Sequence, residues 1–498
     1  MIIDQNKKKN KNLKTDVLIV GGGTTGLFLA ERLKKKFKNI TILEKGSDVA
    51  IKRKNMHHKL NVIYHEGFQR NISIGLGGNS TLWGGQLAEF DKEDFQKNFN
   101  WGVNYSELKK YYRKIYKIFN IKFIEEKDFK KHTKQKKLKK KNLYSFYTHW
   151  LSEPNFKKYF SENITNSNIR IILKAEIIKL NFTNKNCNSI EYKINDKIKK
   201  IYPKIIILCC GPFNNAKVML YHQSESPWKN NKYIGKYFQD HIGLHIGKLK
   251  ILNKKKFDDL FANGYISNSK YQPKIKSRYR INNFNYGISG EIKNPDDKKN
   301  NSVNQILKNY ISKKNLPNLL ATTKLFNFKN FFLIKKIIYF ILRKKILFND
   351  YKKLTFYVQC EQKPIKSSCI RLTSKKRNNF TLDWKINGDE FYVIKKFVKD
   401  VNSYLLKNKI AKIDTKEFSK LNIKSFKEKL RDTNHPSGGL LVSNSLKNKV
   451  LNINQKVENT KNLYVAGSSV FPKSSHANIT LTALALTERL ANYLITRY

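Results

Sequence analysis

Acidic residues are scarce in this chain: 38 Asp and Glu stand against 99 Lys and Arg over 498 residues, a formal charge of +61. Such an imbalance suggests a polyanion or an anionic membrane as partner. The excess is mostly Lys, however, spread along the whole sequence beside abundant Asn, Ile, Tyr and Phe, the residue set that A/T-rich codons produce, so a lysine-coated solvated surface explains it more simply. Cysteine is scarcer still. The five present, Cys187, Cys209, Cys210, Cys360 and Cys369, form no C-x-x-C pair and no metal-ligand spacing, which argues against a disulfide framework or a metal site and fits a reducing cytoplasm. Long apolar runs are also missing. No uncharged stretch reaches the ~18 to 20 residues of a transmembrane helix, and the opening MIIDQNKKKNKNLKTD lacks the apolar core of a secretion signal.

The chain is long enough for two or three structural units. Its beginning reads as strand (Asp16 to Val20), glycine turn (Gly21 to Gly26), helix (Leu27 to Phe37) and strand (Ile40 to Leu43), a βαβ unit. Residues 91–165 are charged and aromatic, with a helical pattern at Leu108 to Tyr116 and a lysine run at Lys134 to Lys141 expected as a solvated loop; little chemistry is expected there. Strand signals return at Ile169 to Leu173 and Ile205 to Leu208, the latter turning into a helix at Asn214 to Tyr221. From about Asp240 to Leu430 alternation takes over, as at Leu354 to Cys360, Cys369 to Thr373 and Phe380 to Ile386, with a helix near Phe391 to Leu406; this predicts an antiparallel-sheet domain. Within it FFLIKKIIYFILRKKILF, Phe331 to Phe348, either lies on a membrane surface or packs on the domain with its cations snorkelling out.

Three clusters carry chemistry. Gly21, Gly23 and Gly26 make G-x-G-x-x-G after a strand and at a helix start, where absent side chains let backbone amides approach a pyrophosphate. Glu44 ends the second strand; a carboxylate there accepts ribose hydroxyls and repels a 2′-phosphate, favouring FAD or NAD over NADP. The second cluster, Gly75 to Gly85, is dense in glycine with one aromatic, Trp83, as though backbone must come close to something flat. The third comprises His435-Pro436-Ser437-Gly438-Gly439, then LYVAGSSVFP from Leu463 to Pro472, then His476-Ala477-Asn478-Ile479-Thr480 leading into a final helix.

These segments, with ILCCGPFNNAKVML and YIGKYFQDH (Tyr233 to His241) between them, occur in the order in which the glucose-methanol-choline (GMC) flavoprotein oxidoreductases carry their motifs, and the chain resembles that family over most of its length. The resemblance implies an α/β fold in which a Rossmann-like FAD-binding domain is assembled from separated segments (1–90, 160–240 and 430–498). An α+β substrate domain with an antiparallel sheet (241–429) would cover the flavin, with 91–159 as a connecting or lid region. It further implies oxidation of an alcohol, a sugar, polyol or glycoside, by hydride transfer to flavin N5. Cofactor contacts are expected from Gly21, Gly23, Gly26, Glu44, Gly77, Gly78, Asn79, Ser80, Ile177, Gly467 and Ser468. His435 stands at the family's catalytic histidine position and is the expected general base, because an imidazole titrates near neutrality. Asn478 stands at the second position, where a neutral amide can hold the substrate oxygen. His476 is expected to line the pocket or else to pack, and His241 to play a structural or domain-junction role.

The sequence departs from the family at HPxGTxxMG, which here runs from His435 to Ser443 without the Thr or the Met-Gly, and at Ile479, which replaces a proline. Members with covalent flavin carry a histidine in or near the second glycine loop; this loop has none, so noncovalent FAD is expected. A quinone or protein is the expected electron acceptor, in a cytoplasmic protein that contacts the inner membrane face peripherally through 331–348 if that segment lies on a bilayer, and no specific nucleic acid is expected. The competing reading is a membrane-surface or polyanion-binding protein with a degenerate flavin site.

Overall fold

The computed structural model describes residues 2–3, 13–52, 61–63, 65, 72–96, 99–125, 136–138, 142–165, 167–266, 269–294, 339–340, 342, 345–348, 350–373, 380–443 and 449–498. Along the chain, β1 (Leu13–Val20), α1 (Thr24–Leu33) and β2 (Ile40–Leu43) form the opening unit, followed by α2 (Tyr105–Ile118) and β3 (Tyr144–Trp150). Then come β4 (Ile169–Ile172), β5 (Glu176–Thr183), β6 (Asn186–Ile194), β7 (Lys197–Leu208) and α3 (Gly211–Tyr221). The remainder is β8 (Ile242–Ile251), β9 (Ser269–Ile281), β10 (Phe284–Lys293), β11 (Thr355–Cys360), α4 (Asp389–Lys407), β12 (Leu463–Val465) and α5 (Thr480–Arg497).

Strands β4, β2, β1 and β7 lie side by side in parallel, β12 adds to β7 in parallel, and β6 and β5 extend the sheet antiparallel. The central strands are apolar runs buried on both faces, as parallel strands covered by helices must be: VLIV in β1 and IIIL in β7. Helix α1 buries Leu27, Leu29, Ala30 and Leu33 and packs on α5, whose residues from Leu481 to Leu494 are mostly buried. Helix α2 starts at Asn104, whose side chain accepts from the Glu107 amide. It turns Leu108, Tyr112 and Ile115 inward, and the Tyr112 hydroxyl meets that of Thr482 on α5 at 2.7 Å.

The second sheet is antiparallel throughout. Its order is Lys345–Ile346, Asn263–Ile266, β9, β10, β11, β8 and Ala411–Ile413, with β3 joined to β9 and Gln86–Leu87 joined to β3. Strand parity divides its residues. Phe356 faces α4, where its ring stacks on Phe397 with centroids 6.2 Å apart. Glu291 pairs with Tyr357 and Ser289 with Gln359, so these side chains share the opposite face.

The architecture is thus the expected mixed α/β one, a Rossmann-like unit beside an antiparallel-sheet unit, with three differences in detail. Region 91–159 is more than a connection, because YSFYTHW at β3 is a strand of the second sheet, an aromatic alternation masked by its charged surroundings. Cys369–Leu372 and Phe380–Asp383 do not join that sheet; they form a small sheet of their own with Asn61–Ile63. Most of the 331–348 segment, like most of the lysine run at 134–141, lies outside the described residues. At the described end of 331–348, Phe340 and Lys345 are buried, so Lys345 does not snorkel outward as expected, and Lys345–Ile346 is held by pairing with Asn263 and Gly264. Among the described residues no helix is long and apolar enough to cross a membrane.

Candidate active site

A cavity of about 680 Å³ opens between the two sheets. Its first wall is made of backbone. Helix α1 begins at Gly23 with no side-chain cap, α3 at Cys210 and α5 at Ile479 likewise, and all three starts line the cavity. Uncapped amides at a helix start leave N–H groups free and carry a partial positive charge, the natural seat of an anion. The two glycine clusters meet here: a Cβ on Gly78 would sit 2.9 Å from the Gly23 Cα. Gly26 lets α1 rest on the β1 turn, since its Cβ would fall 1.9 Å from the Gly21 carbonyl oxygen.

Of the expected cofactor residues, Gly21, Gly23, Glu44, Gly78, Asn79, Ile177, Gly467 and Ser468 line the cavity. Glu44 accepts one amide bond on each oxygen, from Gly22 and from Gly46, both at 2.8 Å, which aims the carboxylate and leaves it lone pairs for a hydroxyl. Gly26, Gly77 and Ser80 are not on the cavity surface. The Gly77 amide donates to the Gly22 carbonyl at 2.8 Å. Ser80 is turned inward, its hydroxyl donating to the Gly77 carbonyl at 2.6 Å and accepting from the Phe156 amide at 3.0 Å. These three hold the glycine loops in shape rather than touching what the loops enclose.

At the other end of the cavity stand His435 and Asn478. Geometry fixes the protons of the histidine. His241 Nε2 lies 3.1 Å from the Ser474 carbonyl oxygen, which can only accept, so Nε2 bears the hydrogen and Nδ1 is a lone pair. That lone pair faces His435 Nδ1 at 3.1 Å, which must therefore be the donor. The Thr433 hydroxyl, 2.8 Å from the same Nδ1, agrees: it donates onward to Asp240 Oδ1 at 3.3 Å and so accepts from His435. His435 Nε2 is left as a lone pair, 3.2 Å from the Asn478 amide nitrogen and open to the cavity. Burial, and next the neighbouring His241, push the His435 pKa down to about 3, and burial lowers that of His241 despite Asp240. Both rings are accordingly neutral, as the hydrogen-bond pattern requires.

Asp240 anchors this end. Its Oδ1 accepts the His435 amide at 2.9 Å and its Oδ2 meets His65 Nε2 at 3.1 Å. Burial opposes charge on both partners, yet their mutual bond and attraction win, raising the His65 pKa and lowering that of Asp240. His241 is therefore a direct partner of the expected base, so its structural role is exerted on that ring. His476, expected in the pocket, is not there. It lies behind the wall, edge-on to Phe146 with centroids 5.2 Å apart and with Nδ1 3.6 Å from Asp91, because the chain reverses at Ser475, whose φ is +61°.

The cavity wall also contains residues that sequence reasoning passed over: His65, Gln86, Trp150, Glu291, Lys293 and Gln359. For Glu291 and Lys293 a signal existed, two charges two residues apart in the otherwise neutral strand FNYGISGEIK.

Comparison with known proteins matches these features. A family profile described as GMC oxidoreductase covers residues 364–487, which include His435 and Asn478, and one described as NAD(P)-binding Rossmann-like domain covers 19–72. The GMC match, confined to the C-terminal part of the chain, supports the GMC-family resemblance read from the motifs. Solved structures similar to this chain include pyridoxine 4-oxidase from Mesorbium loti (TM-score 0.62, 11% identity, 97% of this chain and 100% of that one). Another is formate oxidase from Aspergillus oryzae (TM-score 0.59, 14% identity, 98% and 99% covered), studied for its FAD modification. A third is a FAD-dependent oxidoreductase from Chaetomium thermophilum (TM-score 0.61, 13% identity, 96% and 99% covered). At these identities the likeness is one of fold. A curated tRNA uridine 5-carboxymethylaminomethyl modification enzyme from Carsonella ruddii is 31% identical over 153 residues, 28% of this chain and 31% of that protein's length. FAD fits the wall described above: uncapped helix starts and closely approaching glycines suit its pyrophosphate, and Glu44 suits its ribose.

Proposed function

We propose that this protein oxidises the CH–OH group of an alcohol, a sugar, polyol or glycoside, with noncovalently bound FAD as the oxidant and His435 as the base. The observation that carries the reading is the lone pair on His435 Nε2, turned to the cavity beside the Asn478 amide at 3.2 Å. Bound FAD supplies the two-electron acceptor that takes the hydride from the carbinol carbon. The Asn478 amide, now bonded to His435, turns to the substrate oxygen and fixes the hydroxyl against Nε2. Nε2 then takes the hydroxyl proton as the C–H bond is lost, leaving a carbonyl product and an imidazolium. The Thr433 hydroxyl accepts from the Nδ1–H of that imidazolium and donates to Asp240 Oδ1, so its new charge is relayed toward a buried carboxylate.

Within this reading the segments 1–90, 160–240 and 430–498 hold the cofactor and 241–429 shapes the substrate side, joined there by β3. Noncovalent attachment rests on the loop from Gly75 to Gly85, which contains no histidine. Electrons leave to a quinone or a protein acceptor. The test is anaerobic titration of the FAD-loaded protein with sugars, polyols, glycosides and simple alcohols. Bleaching of the visible flavin band by members of one alcohol class, with stoichiometric carbonyl product, is expected. A yellow protein that no alcohol bleaches would overturn the assignment.

A further inference from the structure

The second wall of the cavity, one face of the antiparallel sheet, is polar where a covering sheet need only be apolar. Glu291 and Lys293 on β10 and Gln359 on β11 share that face and line the cavity. Lys274, on the neighbouring β9, is 3% exposed and Glu291 is 4% exposed; their charges meet at 2.8 Å. The second Glu291 oxygen is taken by Lys293 Nζ at 2.5 Å. Lys274 also faces the Gln86 side-chain oxygen at 3.1 Å, so its N–H groups point at two acceptors, and burial lowers its pKa against the pull of the Glu291 carboxylate. One carboxylate thus stands between two lysine side chains. Among the described residues lining the cavity, the other carboxylates are engaged elsewhere: Glu44 by two amides and Glu176 by Lys45 at 3.0 Å. The Lys274 and Glu291 charges are buried and pair with each other, which leaves the open Lys293 as the side chain of the three that can meet a ligand's negative charge.

Two further groups await a partner. Gln359 is 8% exposed, and its side-chain oxygen is buried without a hydrogen bond; the buried Trp150 indole N–H is in the same position. Both residues line the cavity. A ligand that completes this wall must donate to an amide oxygen, accept from an indole, and present negative charge to Lys293, whose side chain is 45% exposed and keeps free N–H donors. Hydroxyl groups meet the first two requirements and an oxyanion the third. The charges of Lys274 and Glu291 both act on His435, so this pair lies near the base.

Building on the proposed alcohol oxidation, we propose that the substrate is a polyhydroxylated compound bearing a carboxylate or phosphate, and that Lys293 selects it, with Gln359 and Trp150 binding its hydroxyls. The Lys293 ammonium gives charge-assisted bonds to the oxyanion, while Glu291 keeps that ammonium aimed inward. A neutral sugar meets Gln359 and Trp150 but offers Lys293 no oxyanion.

The experiment compares, on the FAD-loaded protein, a neutral hexose, the matching uronate and the hexose 6-phosphate, in wild type and Lys293→Gln. Two readouts are taken: the concentration for half-maximal anaerobic bleaching, and equilibrium binding by calorimetry at low and high salt. The expected result is that one anionic form acts and binds at concentrations about tenfold or more below the neutral one, that salt erodes this preference, and that Lys293→Gln shrinks the ratio toward one. Uronate and phosphate, read separately, identify the oxyanion. Equal half-maximal concentrations and equal binding for neutral and anionic forms, or an anionic preference that survives Lys293→Gln, would overturn the proposal. If no compound bleaches the flavin but the anions still bind in a Lys293-dependent way, it is the oxidation reading that fails and the recognition that stands.

Discussion

The two walls of the cavity solve different problems with different chemistry. On the Rossmann-like side recognition is done by backbone: three uncapped helix starts, with Gly23 and Gly78 in close approach, and Glu44 held by two amides. On the sheet side it is done by side chains carried on separate strands, Trp150 on β3, Glu291 and Lys293 on β10, Gln359 on β11. A backbone wall fixes one invariant ligand and fails when a side chain intrudes. A side-chain wall can be altered residue by residue without disturbing the strands that carry it. The contrast teaches where each kind of substitution should act.

The comparison breaks first at Gly26. Gly26→Val places a side chain against the Gly21 carbonyl, where the Cβ alone would come within 1.9 Å. The expected cost is about 3 kcal/mol or more, with loss of FAD from the purified protein, measured by flavin absorbance and thermal unfolding. A variant that keeps both its flavin and its wild-type Tm would contradict the packing argument.

A smaller effect is expected from Thr433→Val, which leaves the cavity shape and FAD content intact but removes one acceptor from His435 Nδ1–H and its link to Asp240. Flavin bleaching should slow by about tenfold, roughly one charge-assisted bond. No change would mean that His241 alone orients the ring.

The smallest effect is a predicted absence of one. His435 must be neutral to act, and its pKa is pushed down to about 3, so it keeps its lone pair as pH falls through the ordinary imidazole range. The bleaching rate should be level from about pH 5 to 8. An acid limb centred near the usual imidazole pKa, and abolished together with His435, would show that the base is more exposed than the cavity allows.

The backbone wall was legible in the sequence because glycine spacing is local: Gly21, Gly23 and Gly26 fall within six residues, and Glu44 follows at the end of the next strand. Even there, the sequence could not tell the glycines that face a ligand from Gly26, Gly77 and Ser80, which brace the loops from behind. His435 and Asn478 were legible through their motifs, but the proton pattern that makes Nε2 the basic atom depends on His241 and Ser474, brought together only by folding. His476, two residues from Asn478, pointed to the wrong place because a single left-handed residue, Ser475, sends it behind the wall. The sheet wall was scarcely legible. Strand parity can nominate Glu291 and Lys293, yet it cannot say that Lys274 and Gln359 stand beside them, since that follows from pairing between distant strands.

The most direct measurement is the rate of anaerobic flavin bleaching by a reactive alcohol in wild type and in His435→Ala, with FAD content determined for both. The account predicts equal flavin content and a rate about 10² to 10⁴ times slower in the variant, the usual contribution of a general base. Equal rates with equal flavin would remove His435 from the chemistry and, with it, the role assigned to this end of the cavity.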